Sequence, residues 1–158
     1  MFMTDNVFPA RRTFMCASAV LGSAALLTAC GDGHSEADTP EASSVPKPTG
    51  QSQVVMKLAD LEVGARTSVQ AKHPSGKEIP VLLFRPDEKT VLAFSSVCTH
   101  QGCVVTAESS QDDFFCACHG SRFKPADGTV LEGPAIAPLG RYATEIKNDQ
   151  ISVYVTES

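Results

Sequence analysis

CTHQGC at residues 98–103 and CACHGS at residues 116–121 are the stretches on which the reading of this chain turns. Each carries a Cys and a His, Cys98 with His100 and Cys116 with His119, and each carries one further Cys, Cys103 or Cys118. Cys-x-His is too tight a spacing for two side chains on neighbouring turns of a helix. Gly102 and Gly120 mark backbone that must turn sharply. Both stretches are therefore loops. The spacer between them is long enough for a strand pair, so the loops can close on a small inorganic group from two sides, each supplying one thiolate and one imidazole.

Two thiolates and two imidazoles suit a [2Fe-2S] centre in which two His stand on one iron. Formal charge explains the mixed set: two ferric ions and two sulfides sum to plus two, so two thiolates give a neutral oxidised centre where four would leave minus two. A less negative centre accepts an electron more readily, and such centres have potentials of roughly −150 to +300 mV. Zinc is the competing reading, because thiolate and imidazole also build tetrahedral zinc sites. It takes only four ligands, whereas six candidates are packed here at a spacing unlike that of zinc fingers. A third reading keeps disulfides alone and makes the two His bystanders, which leaves their matched placement beside two Cys pairs unexplained.

The two stretches resemble both boxes of the Rieske family, CTHxGC and CxCHGS. By that resemblance Cys98, His100, Cys116 and His119 are the cluster ligands, and Cys103 and Cys118 form the disulfide that ties the two loops together. That bond would close a loop of about 15 residues, worth about 3 kcal/mol in the chain-entropy model. Ser121 matches the family serine whose hydroxyl donates to a cluster sulfide, while Phe123 stands where high-potential members have a tyrosine. Gly133-Pro134-Ala135 with Pro138-Leu139 resembles the proline-bearing third loop over the cluster, in which Pro134 fixes the backbone and removes an N–H. The resemblance runs from about Gln53 to Val155, and its specific part is the two boxes.

The 158 residues allow one domain and little more. A net charge of −5 gives no footing for nucleic-acid binding. Residues 1–30 read as a targeting segment: Arg11-Arg12 precede a mildly apolar run from Phe14 to Ala29, a twin-arginine pattern. Ser18, Gly22, Ser23 and Thr28 dilute the run below the ~20 strongly apolar residues of a spanning helix. It ends Leu27-Thr28-Ala29-Cys30, which resembles a bacterial lipobox with Cys30 as the lipidation site; the competing reading is a retained hydrophobic anchor. Cysteine arithmetic suits the lipid: Cys16 leaves with the signal, Cys30 is acylated, two Cys ligate iron and two pair. Residues 31–52 are Gly, Asp, Ser, Thr, Glu and Pro with little apolar content, the composition of a disordered tether. His34 within it is expected to be solvated.

Residues 53–158 form the folded domain, a succession of short β runs with no helical periodicity. Strands are expected at Val54–Leu58, Arg66–Ala71, Ile79–Arg85, Val91–Val97 and Asp113–Cys116, with a turn and strand at Asp127–Val130. Arg141–Lys147 and Gln150–Val155 follow, joined by Asn148-Asp149, the strongest hairpin signal in the chain. The fold class is all-β, a small antiparallel domain. His73, beside Pro74 in a turn, is expected at the surface.

Nothing here pairs a nucleophile with a base, since only His34 and His73 remain once His100 and His119 are assigned. A Rieske oxygenase needs a second domain holding iron with two His and a carboxylate, for which this chain is too short. The resemblance therefore implies a one-electron carrier rather than an enzyme, with a cytochrome or a membrane or periplasmic oxidoreductase as electron partner, and a membrane attachment through an N-terminal lipid or helix. Two alternatives stand beside it: the Rieske subunit of a quinol-oxidising cytochrome bc complex, and a metal-stabilised binding module without redox role.

Overall fold

Asn148 and Asp149 both take left-handed backbone, φ 52° and 59°, as the two central residues of a type I′ hairpin require. The turn joins β8 (Arg141–Lys147) to β9 (Gln150–Tyr154), which pair antiparallel from Lys147 opposite Gln150 to Ala143 opposite Tyr154. The computed structural model describes residues 43–155. Around this hairpin lie β1 (Ser52–Lys57), β2 (Arg66–Lys72), β3 (Glu78–Phe84) and β4 (Leu92–Ser95). The six strands form one antiparallel sheet in the order β1-β9-β8-β4-β3-β2.

The two ends of that sheet meet. The Gln53 side chain carries the junction: its amide nitrogen donates to the Lys72 carbonyl, and its oxygen accepts the Lys72 N–H at 2.6 Å. A side-chain amide thus imitates one residue of a neighbouring strand between β1 and β2.

Between β4 and β8 the chain leaves the sheet and builds a second layer. Three short strands, β5 (Phe114–Phe115), β6 (Arg122–Phe123) and β7 (Val130–Glu132), make a separate sheet in the order β5-β6-β7. Strand β3 explains how the layers join. Its EIPVLLF run is apolar without alternation because both faces are covered. Val81 and Leu83 pack with Ala93, Ile151 and Val153, whereas Leu82 packs with Phe94, Phe114, Phe123 and Leu139. The second group is the floor of the inserted layer, and Cys98 and Cys116 belong to it.

Several boundaries differ from the sequence-based expectation. β1 starts at Ser52, paired with Tyr154, and gives way at Leu58 to a 3-10 turn over Leu58–Asp60. Residues 43–51, expected to be tether, hold no strand or helix, yet the Ser43 hydroxyl donates to the Leu139 carbonyl at 2.7 Å. The stretch Val91–Val97 yields only Leu92–Ser95 as strand, because beyond Ser95 the chain turns into the first Cys/His loop. β6 was not expected at all, since two residues carry no readable period. Among the described residues no helix is long and apolar enough to cross a membrane. Arg11, Arg12, Cys30 and His34 lie outside the described residues.

Candidate metal centre

The two Cys/His loops are built alike. In the first, the Cys98 N–H donates to the Cys103 carbonyl at 2.8 Å and the Gly102 N–H to the Cys98 carbonyl at 2.8 Å. In the second, the Cys116 N–H donates to the Ser121 carbonyl at 2.9 Å and the Gly120 N–H to the Cys116 carbonyl at 3.0 Å. The donors and acceptors fall at the same offsets in both. Gly102 and Gly120 sit at φ 76° and 84°, which side chains with a Cβ rarely adopt, so the turn in each loop depends on glycine.

The paired construction brings like groups together. The His100 and His119 rings meet edge to face with centroids 4.8 Å apart. Cys98 and Cys116 are unoxidised thiols, both buried. Cys103 and Cys118 form a disulfide, with Cα atoms 6.5 Å apart, that bolts one loop to the other. Their sulfurs lie with that of Cys116 inside a 4.8 Å group, of which only Cys116 remains a thiol.

Burial disfavours a bare thiolate at this site. Burial pushes the Cys116 thiol above the ordinary thiol range, and the neighbouring Cys98 thiol raises it further by hydrogen bond and charge; the backbone N–H groups of Cys118 and His119 act in the opposite sense. Residues 97–107, 114–121 and 133–140 contain no Asp, Glu, Lys or Arg, in a chain that is 20% charged. Two thiolates in such a place need a metal to share them. The Nδ1 of His100 is buried without a hydrogen-bond partner, an orphan that metal ligation would satisfy. The residues therefore fit a group that takes two thiolates and two imidazoles.

A third loop, residues 133–140, lies across both. The Gly133–Pro134 peptide is cis. The Ala135 N–H donates to the Ser121 Oγ at 3.0 Å, and the Thr99 hydroxyl donates to the Ala137 carbonyl at 2.6 Å. Ser121 is buried, and with its oxygen already accepting from Ala135 its own proton is left to donate. Pro134 itself is exposed. Phe123 is fully buried in the group that contains Cys98 and Cys116, packed in the same floor as Phe94 and Phe114.

Sequence reasoning missed Thr99, the residue between the two donors of the first box, whose short polar side chain is the available hint. It also missed Asp113 and Arg122, which form an ion pair at 2.6 Å beneath the second loop. His73, as expected, stays outside this site, its Nδ1 2.8 Å from the Ser75 hydroxyl in the β2–β3 turn.

Comparison with known proteins agrees with the geometry. The family model of the Rieske [2Fe-2S] domain matches residues 51–143. The cytochrome b6-f complex iron-sulfur subunit of Chlorobaculum thiosulfatiphilum is 32% identical over 106 residues, 63% of this chain and 55% of that protein. The corresponding subunit of Synechococcus sp. (strain RCC307) is 34% identical over 61% of this chain and 52% of its own length. The chain thus spans about half the length of these curated relatives. Among solved structures, the cyanobacterial plasma membrane Rieske protein PetC3 from Synechocystis PCC 6803 superposes with a TM-score of 0.51 at 31% identity, covering 64% of this chain and 97% of that one. Sphingomonas yanoikuyae B1 ferredoxin, at 19% identity and a TM-score of 0.52 over 66% of this chain and 98% of its own, shares the fold. Since the family match begins one residue before β1 and runs into β8, taking in both Cys/His loops and the third loop, the chain belongs to the Rieske [2Fe-2S] domain family and its site takes that family's cluster.

Proposed function

We propose that Cys98, His100, Cys116 and His119 hold the cluster and that the chain works as a one-electron carrier on the outer face of a bacterial membrane. The observation that carries the reading is the matched pair of loops, each offering one buried thiol and one imidazole. When bound, a [2Fe-2S] cluster supplies a one-electron redox couple. Cys98 and Cys116 give up their protons on ligation, and the apolar floor of Phe94, Phe114, Phe123 and Leu139 keeps water from the thiolate side. His119 is exposed and His100 half-buried, so the imidazole side is where a partner can approach.

The export and anchoring part of the proposal rests on Arg11-Arg12 and Cys30. A cluster assembled in the cytoplasm requires a route that carries folded proteins, which makes the twin-arginine pattern and the cluster mutually supporting. Cys30→Ala should release the domain from membranes or leave the precursor unprocessed, and Lys at both positions 11 and 12 should strand it in the cytoplasm. Fractionation with a lipid-labelling assay checks both, and normal export and attachment of both variants sinks this part.

The names of the b6-f relatives favour a second reading, a subunit of a quinol-oxidising complex. Phe123 speaks against it. Donors near the cluster sulfurs stabilise the more negative, reduced state and raise the potential, and a phenylalanine donates nothing. Hydrogen bonds to charged groups contribute about 1.5–3 kcal/mol. Most of that acts on both oxidation states, leaving a difference of about 1 kcal/mol, or roughly 40 mV for one electron. Phe123→Tyr should therefore raise the midpoint by a few tens of millivolts, and Ser121→Ala should lower it by at least as much. Film voltammetry on the two variants is the check; two unmoved midpoints would remove residues 121 and 123 from the cluster's surroundings.

A further inference from the structure

The second Cys/His loop stands on a stem of only two residue pairs, Phe114 opposite Phe123 and Phe115 opposite Arg122. The first pair faces the apolar floor. The second carries polar contacts that a two-residue strand does not need for pairing alone. Arg122 lies on the middle strand of its sheet, and its directly paired neighbours are Phe115 on β5 and Glu132 on β7. Its guanidinium sits over the Phe115 ring at 4.6 Å, reaches the buried Asp113 at 2.6 Å, lies 3.5 Å from Glu132 and 3.5 Å from the Ser109 hydroxyl. Asp113 immediately precedes β5, and Arg122 immediately follows Ser121. One side chain therefore ties the entry leg of the loop to its exit leg, and the exit leg to the third strand.

We infer that Arg122 is a positioning residue for the cluster: by locking β5, β6 and β7 in register it sets where the Ser121 hydroxyl points, and through that hydroxyl it tunes the redox midpoint. The inference rests on the cluster reading above. Planarity matters here, because stacking on Phe115 while forking toward Asp113 and Glu132 is open to a guanidinium and not to an ammonium. Ser121 is within reach of such control, since its carbonyl closes the loop on the Cys116 N–H and its hydroxyl meets the third loop at Ala135.

The alternatives are that Arg122 acts as a positive charge near the cluster, or that it only stabilises the fold. Arg122→Lys and Arg122→Met, each made alone and in a Ser121→Ala background, separate the three. Film voltammetry and EPR spectra of the iron-loaded proteins are read beside iron content and thermal unfolding. A positioning role lowers the midpoint in both Arg122→Lys and Arg122→Met by at least half of the fall that Ser121→Ala produces, alters the EPR line shape, and has no further effect once Ser121 is Ala, the non-additivity expected of residues acting through one another. A midpoint that Arg122→Lys leaves at the wild-type value while Arg122→Met lowers it, additively with Ser121→Ala, overturns the inference in favour of charge. A fall in thermal stability with unmoved midpoint and spectrum overturns it in favour of scaffolding. Phe115→Leu, which removes the ring and leaves the ion pair, takes the place of Arg122→Met if that variant does not fold, and should likewise lower the midpoint. Wild-type protein that binds no iron would instead remove the cluster reading on which the inference stands.

Discussion

Cys98→Ala protein, expressed with ample iron and purified anaerobically, should carry iron only at background level and show neither the visible absorption nor the EPR signal of a [2Fe-2S] centre. The reason lies in the donor set. Each loop contributes one thiol, and no acidic side chain within residues 97–107, 114–121 or 133–140 can substitute for the lost one. The remaining thiol, Cys116, is buried and raised by that burial, so a single thiolate gains too little from one imidazole pair to hold two irons. The same loss is expected for Cys116→Ala. Iron and sulfide analysis of both variants is the measurement, and wild-type iron content in either would show that the ligand set has been misassigned.

Loss of the disulfide should have a different outcome: iron stays and stability falls. The bond spans 15 residues, and closing a loop of that size stabilises by about 3 kcal/mol in the chain-entropy model. At roughly 4–8 °C per kcal/mol for a domain of this size, the melting temperature of a Cys103→Ala, Cys118→Ala double variant should drop by more than about 10 °C. The double replacement is preferable to either single one. In Cys103→Ala the released Cys118 thiol would remain in the group of sulfurs that lies within 4.8 Å of Cys116, and it could compete as a ligand. A double variant that assembles no cluster, or one that melts with the wild type, would contradict this division of the four cysteines.

Much of this site is visible in the sequence because it is local. Each loop is six residues long, its turn depends on one glycine, and its donors sit at fixed offsets, so CTHQGC and CACHGS state their own geometry. The Asn148-Asp149 hairpin is legible for the same reason, with both residues tolerant of left-handed backbone. The unpredicted features are long-range. The ion pair of Arg122 with Asp113, the seating of Thr99 on Ala137 and the bond from Ser43 to Leu139 join residues 9, 38 and 96 positions apart. No periodicity announces them. Strand β6 is hidden by brevity, since two residues cannot show alternation, whereas β5 falls inside the expected Asp113–Cys116 run; the packing of Phe114 and Phe123 under the cluster loops brings the two together. The order of the large sheet is equally non-local, because β4 reaches β8 only after the whole inserted layer has been traversed.

The amide of Gln53 has a consequence beyond the architecture of the sheet. Strands β1 and β2 end the six-stranded order, and an end strand presents a row of open N–H and C=O groups to any passing chain. At Lys72 both groups are already engaged by one side chain of the same molecule. The last residue of β2 therefore offers no starting point for strand addition by a second copy, and self-association along this edge is discouraged where β1 and β2 come closest. The protection takes one glutamine side chain and no additional strand.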